Sequence, residues 1–414
     1  MDSHIIITWA AFLFTYLGLA LGKIPGLRLD RTGIAWCGAV LIIAGGVISF
    51  PDAARAINYE TLGLLLAMMV VVAVLRRARF FARVATLLAK YVHSQHGFLA
   101  LVIGLSGVLS AILVNDVVCL ALPPLVLGLA RKNGWDPKPH LIALALAANI
   151  GSACTPIGNP QNMLIAEWSH ISFARFLTRL AVPSIFSLGL CFILISLVYR
   201  RSFTTILPVT KTLHDVVFVK PSRRHDRLLT KSILVLVGTI IAFLAGFHLT
   251  TVALVAATIL LFDRLSPRFV WREVDWSLLV MFAGLFVVVS AFETQVVHSG
   301  HWDQWPALQR DPVGLLSLAS AVVSNLVSNV PAVMLFKPII PTLPMEMQET
   351  GWLALAMSST FAGNFTILGS IANLIVVEIA RREGVTISLW DYCKVGVPIT
   401  LASLAIGIGW LWWF

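Results

Sequence analysis

The chain alternates long apolar runs with short polar breaks. Runs of roughly 20 residues, the length needed to cross a bilayer as a helix, fall at about 5–22, 32–50, 60–78 and 172–199. They recur near 231–247, 249–265, 276–297 and 390–413. Between the runs lie apolar stretches of two irregular kinds. The stretches 98–130 and 313–341 carry polar kinks, Asn115-Asp116 in the first and Ser324-Asn325 to Ser328-Asn329 in the second. Each reads as a re-entrant hairpin with its tip at the polar residues. The stretches 140–168 and 352–379 are broken in the middle by Gly, Asn and Thr and read as discontinuous helices. Irregular backbone at membrane depth is tolerated only where it is buried in protein or lines a cavity. The pattern predicts an all-α polytopic membrane protein with re-entrant hairpins and broken helices.

The two broken stretches are copies of one another. A displacement of 211 residues pairs Thr155 with Thr366, Gly158 with Gly369, Asn162 with Asn373 and Glu167 with Glu378. The run from Tyr59 resembles the run from Asp275, Asn115 maps onto Asn329, and Pro183 onto Pro398. Each half then contributes five crossings, with a hairpin counted as none. Five is odd, so the second half enters from the opposite side and the repeat is inverted. The expected division is a first repeat over 1–199, a basic linker over 200–231 and a second repeat over 232–414. Paired breaks at matching places in inverted repeats mark the binding centre of a secondary transporter.

Charge sets the orientation. Of the 30 Lys and Arg residues, only Arg55, Arg175, Arg179, Arg310 and Lys337 fall outside the segments 23–31, 76–96, 131–139, 200–231, 263–273 and 381–394. The threading puts all six of those segments on one face. The positive-inside rule makes that face cytoplasmic and both termini extracytoplasmic, in a plasma (inner) membrane. The same bias accounts for the net charge of +10 without nucleic acid as a partner. The basic piece Arg76 to His96 reads as an interfacial helix. A composition of 58% hydrophobic and 12% charged residues excludes a soluble domain of this length. The first run lacks a basic leader and a small-residue cleavage site, and is expected to be a retained span. Five scattered cysteines without a CxxC suggest neither a disulfide framework nor a metal site. No HExxH, GxSxG or Walker A sequence is present, so no enzyme and no cofactor are expected. Transport would then draw on an H+ or Na+ gradient or on a separate ATPase subunit. An ion channel is the alternative from another class.

Candidate substrate-binding residues are those of the four interruptions. They are Asn115, Asn149, Ser152, Thr155, Asn159 and Asn162 in the first half, and Ser328, Asn329, Asn364, Thr366 and Asn373 in the second. Gln161, Thr360 and Ser370 belong to the same breaks. Amides and hydroxyls supply neutral ligands without burying charge, although such residues also bond between packed helices. Asp116 is the candidate ion-coupling residue. An ionisable group inside a membrane segment is a functional hypothesis by default, and a carboxylate can take up a proton or a sodium ion; the alternative is a wet, structural carboxylate at a hairpin end. Lys337 can pair with an acid, neutralise an anion or snorkel. Glu167 and Glu378 end the broken helices at equivalent positions, and Glu293 lies late in its span. Cys119 and Cys154 fall near the expected pocket, as thiols that suit soft metalloids or as packing residues.

The stretches VNDVVCLALPP (114–124), NIGSACTPIGNPQNMLIA (149–166), VSNLVSNVPAVMLFKP (323–338) and AGNFTILGSIANLIVVE (362–378) resemble the ion transporter superfamily. That superfamily holds the arsenite-efflux, NhaD-type sodium/proton antiporter and divalent anion:sodium symporter families. The resemblance implies two scaffold-plus-transport repeats, hairpin tips that meet the broken helices, elevator-like movement and often a homodimer. Dicarboxylate symporters of this kind carry Ser-Asn-Thr at both tips, whereas here the tips read Val114-Asn115-Asp116 and Ser328-Asn329-Val330. The Asn-Asp pair is similar to the arsenite-efflux and antiporter branches. The expected activity is transport of a small inorganic anion or metalloid, with proton-coupled arsenite or antimonite efflux as the best choice. The alternatives are a sodium-coupled dicarboxylate or anion symporter and a sodium/proton antiporter.

Overall fold

A computed structural model describes residues 3–22, 29–89, 92, 94–204, 223–263, 266–297 and 311–413. The protein is an all-helical, multi-pass membrane protein. Its first half comprises α1 (Ser3–Leu21), α2 (Arg31–Ala44), α3 (Phe50–Ala56), α4 (Tyr59–Arg77), α5 (Phe80–Ala89) and α6 (Gln95–Ile112). It continues through α7 (Asn115–Ala121), α8 (Pro123–Lys132), α9 (Pro137–Ser152), α10 (Pro160–Ser169) and α11 (Phe173–Val198). The second half holds α12 (Arg223–Leu244), α13 (Leu249–Leu261), α14 (Pro267–Glu273) and α15 (Trp276–Phe292), which runs on as a π-turn over Glu293–Val297. It ends with α16 (Gly314–Val327), α17 (Asn329–Phe336), α18 (Met345–Ala362), α19 (Ile371–Arg382) and α20 (Leu389–Trp413). Most of the basic linker, 205–222, lies outside the described residues.

The two halves repeat one plan down to their caps. A seven-residue helix, α3 or α14, precedes a long apolar helix, α4 or α15. Asn58 caps α4 by accepting from the Thr61 N–H, and Asp275 caps α15 by accepting from the Leu278 N–H. Both caps satisfy an otherwise orphaned helix donor. Helices α11 and α20 each carry an internal proline, Pro183 and Pro398. The packing is reciprocal as well: α2 lies on α15 while α4 lies on α13, and α11 pairs with α20.

Seven helices among the described residues are long and apolar enough to cross a membrane: α1, α4, α6, α11, α12, α15 and α20. Two spans expected from hydropathy are shorter than their apolar runs. Helix α2 stops at Ala44 because Gly45 and Gly46, the latter at φ 68°, turn the chain. Helix α13 has 13 residues and spans about 20 Å, less than a full hydrocarbon core. Helix α6 differs in the other sense, being a hairpin arm long enough to cross. It nonetheless turns back at Leu113-Val114. The end of the return arm brings Trp135 to 5.7 Å, ring to ring, from Phe98 at the start of α6.

Each hairpin's first arm runs alongside the broken helix of its own half. Helix α6 lies so close to α9 that a Cβ on Gly151 would sit 2.1 Å from the Gly107 carbonyl oxygen and 2.4 Å from its Cα. Both obstacles are backbone. Gly151→Ala is therefore expected to cost ~3 kcal/mol or more, the upper end for overpacking. Thermal unfolding of the detergent-solubilised protein would show this as a clear fall in midpoint, whereas Gly104→Ala, with open space around its Cβ, would stay near wild type.

Ion pairs between elements respect the sidedness that charge implied. Arg76–Glu273 (2.5 Å), Arg83–Asp226, Arg131–Glu383 (3.2 Å) and Lys138–Asp391 (3.0 Å) all join segments of the basic face. Arg175–Glu349 (2.6 Å) and Lys337–Glu293 (3.1 Å) join segments of the other.

Candidate functional site

The two helix breaks are held by one buried network of amides, and its bonds obey the same displacement of 211 residues. Asn162 Nδ2 donates to the carbonyls of Ser152 (3.2 Å) and Thr155 (3.0 Å). At the equivalent place Asn373 Nδ2 donates to Gly363 (2.7 Å) and Thr366 (3.1 Å). In each copy the asparagine of the outgoing half-helix satisfies carbonyls freed where the incoming one unwinds. Three of these carbonyls also accept elsewhere, Ser152 from Asn159 Nδ2, Thr155 from the Gly158 N–H and Thr366 from the Gly369 N–H, so the asparagine adds a second donor to each.

The copies are also tied to one another. Asn149 Nδ2 donates to Asn364 Oδ1 (2.9 Å) and Asn373 Oδ1 (3.0 Å), while its Oδ1 accepts from Asn115 Nδ2 (2.9 Å) and Ser370 Oγ (3.2 Å). Thr360 stands where Asn149 stands in the other copy, and it accepts from Asn159 Nδ2 (3.3 Å) and Gln161 Nε2 (3.1 Å). Asn364 Nδ2 reaches the Leu146 carbonyl at 3.1 Å. The first hairpin tip is seated by the Asn115 N–H on the Gly158 carbonyl (3.0 Å) and by Thr155 Oγ1 on the Ala111 carbonyl (2.5 Å). The second tip is held by Asn325 Nδ2 on the Ala362 carbonyl (3.0 Å). Tyr16 on α1 donates to the Pro331 carbonyl at 3.0 Å.

In front of this network lies a cavity of about 50 Å³. The first turns of α7, α10, α17 and α19 all line it, through Asn115-Asp116, Pro160-Gln161, Ser328 to Pro331 and Ser370-Ile371. Leu19, Met281 and Phe282 supply an apolar wall, and Arg31 at the start of α2 is the one cation in the lining among the described residues. Two of the lining amides present buried acceptors with no donor among the described residues, Asn115 Oδ1 and Asn329 Oδ1. Ser328 holds φ 81°, a left-handed backbone that a serine adopts at a cost and that marks the second tip as constrained.

The sequence-derived candidates therefore divide in two. Asn115, Asp116, Ser328 and Asn329 face the cavity, together with Gln161 and Ser370. Asn149, Ser152, Asn159, Asn162, Asn364 and Asn373 stand behind it as the buried scaffold; Thr155 braces the tip and Thr366 contributes its carbonyl. Cys119 and Cys154 are buried off the cavity lining, and the Cys154 thiol donates to the Gly151 carbonyl. Glu378 is spent on Arg381 and Arg382, unlike Glu167. Glu167 lines a separate space of about 480 Å³ with Glu60, Glu293 and Lys337, where Lys337 pairs with Glu293 and lies 5.5 Å over the Trp168 ring. Sequence reasoning missed Arg31 and Tyr16, which sit in stretches that looked like loop charge and plain span.

Residues 9–362 match the profile of the citrate transporter family CitMHS. The silicon efflux transporter LSI3 of Oryza sativa subsp. japonica is 31% identical over 93% of both chains. A protein named "Putative transporter arsB" from Dictyostelium discoideum is 26% identical over 92% of this chain and 87% of its own. The crystal structure of the Alcanivorax borkumensis YdaH transporter superposes with a TM-score of 0.62, at 16% identity, and covers 99% of this chain and 98% of that one.

Proposed function

The chain belongs to the CitMHS family of the ion transporter superfamily and is a secondary transporter, not an enzyme. From that premise we propose that it exports a small, uncharged hydroxylated acid in exchange for protons, with arsenite or antimonite as the best candidates. The observation that carries this reading is the lining of the cavity: orphan acceptors on Asn115 and Asn329, hydroxyls on Ser328 and Ser370, and one carboxylate, Asp116. A trihydroxide can donate to those acceptors and accept from the first-turn N–H groups of the half-helices. A polycarboxylate would bring acceptors against acceptors. The silicon efflux relative fits the same chemistry, because silicic acid is also a small neutral hydroxide.

Asp116 is the proton site in this proposal, and no cation among the described residues lies within ion-pair distance of it. The hairpins and broken helices, α6–α10 and α16–α19, share the buried network and form the moving part of an elevator. Helices α1–α4 and α12–α15 form its scaffold, in two inverted repeats over 1–199 and 232–414. The basic face is cytoplasmic, both termini are extracytoplasmic, and the protein sits in the plasma (inner) membrane. The second reading is a sodium-coupled carboxylate symporter, favoured by the family's description as a citrate transporter and by the cation Arg31 in the lining. Thermal stabilisation of the purified protein separates the two. Arsenous, antimonous or silicic acid is expected to raise the unfolding midpoint without sodium, and citrate to leave it unchanged. A rise with citrate that needs sodium would reverse the assignment.

A further inference from the structure

Glu167 breaks the symmetry of the two repeats. Its counterpart Glu378 is neutralised by Arg381 and Arg382, whereas Glu167, near the end of α10, meets another acid. Its carboxyl group is hydrogen-bonded to that of Glu60 in the first turn of α4. His248, the residue that opens α13, reaches the same place, with Nε2 3.4 Å from Glu60 Oε2. The other ring nitrogen, Nδ1, lies 3.3 Å from Thr251 Oγ1, which orients the imidazole. One oxygen from each glutamate and one nitrogen of the histidine all lie within 4.8 Å of one another. Three bases at such separations need a cation among them, a proton or a metal. Lys337 and Arg55, which line the adjoining space, are engaged elsewhere, with Glu293 (3.1 Å) and Asp52 (2.9 Å).

We propose that Glu60, Glu167 and His248 form a Zn2+ site, on the face opposite the basic segments, that ties the end of α10 to α4 and α13. Carboxylates and an imidazole are ordinary Zn2+ ligands, and three of them leave a fourth position for water from the adjoining space of about 480 Å³. Around a tetrahedral Zn2+ with bonds of about 2.1 Å, neighbouring ligand atoms stand about 3.4 Å apart. The His248–Glu60 edge already has that length, and these two side chains are 53% and 55% exposed, free to close the remaining edges. Binding breaks the O–H shared by the two carboxyl groups; the proton leaves to water and both carboxylates turn to the metal. Nε2 gives its lone pair, while Nδ1–H faces Thr251 Oγ1, an outer partner of the kind that fixes a ligating histidine. Glu60 and His248 stand at the ends of scaffold helices and Glu167 on the part that moves, so an occupied site holds the carrier still. That consequence rests on the elevator reading; the site itself does not.

Equilibrium binding of Zn2+ to the purified full-length protein, in wild type, His248→Ala and Glu167→Gln, tests the site without needing the substrate. Wild type is expected to take up one saturable equivalent per chain and to unfold at a higher temperature with Zn2+ than without. Outer partners alone are worth about 10–100-fold in metal affinity, so each variant, which loses a ligand, is expected to bind at least about tenfold more weakly. Binding that is absent in wild type, or unchanged in either variant, overturns the site. Arsenite counterflow in proteoliposomes, first without Zn2+ and then with it saturating on both sides, reads the consequence. Exchange is expected to stop in wild type and to persist in His248→Ala. Exchange undiminished in metal-saturated wild type overturns the clamp. No exchange before Zn2+ is added is instead a failure of the transport reading, and the binding measurement still decides the site.

Discussion

Asp116→Asn is expected to abolish gradient-driven accumulation while leaving a folded carrier that still exchanges substrate for substrate. The side chain faces the cavity beside Asn115, and asparagine has nearly its shape, so the tip should keep its seat on the Gly158 carbonyl. What is lost is the ability to carry a proton. Among the described residues Asp116 is the only acid that lines this cavity, and the equivalent position in the other hairpin is Val330. An ionisable group at such depth costs several kcal/mol and persists where function needs it. Counterflow assays in proteoliposomes read both halves of the expectation. Loss of exchange as well as accumulation would make Asp116 part of substrate binding, and accumulation at wild-type level would remove it from coupling.

The second large effect is on stability. Asn149→Ala removes the hub through which the two broken helices and the first hairpin tip are joined. It strips partners from Asn115 Nδ2, Ser370 Oγ, Asn364 Oδ1 and Asn373 Oδ1 at once. Each buried group left unpaired costs about 1–3 kcal/mol, and even with partial compensation the loss should reach ~4 kcal/mol. That is a large share of the ~5–15 kcal/mol that holds an ordinary domain folded. Thr155→Val, which gives up one bond to the Ala111 carbonyl, should fall well short of it. Detergent unfolding curves for the two variants give the comparison. Equal midpoints would mean that the amide network is not what fastens the repeats together.

Much of this architecture could be read from the chain because membrane depth makes irregular backbone conspicuous. The Gly, Asn and Thr breaks at 149–162 and 360–373 cannot be solvated by lipid, so their recurrence pointed straight to the centre of the fold. The position of the hairpin tips followed from Asn115 and Asn329 in the same way. Which amides face the cavity was not legible. Asn162 and Asn115 are the same residue type in the same kind of break, yet one mends the backbone and the other lines the cavity; only tertiary packing decides. Arg31 was hidden for a related reason. In sequence it is one more basic residue of a short loop, and its place in the cavity lining depends on how α2 packs on α15 of the other half. The shortening of α2 at Gly45-Gly46 was masked by the apolar residues that follow, since hydropathy registers the run and not the turn within it.

Everted membrane vesicles containing the wild-type protein, given arsenite with the proton gradient imposed or collapsed, address the central claim most directly. Proton-coupled export predicts accumulation that requires the gradient, is indifferent to sodium and is absent with Asp116→Asn. Accumulation that survives collapse of the gradient, or none in its presence while citrate enters with sodium, would contradict it.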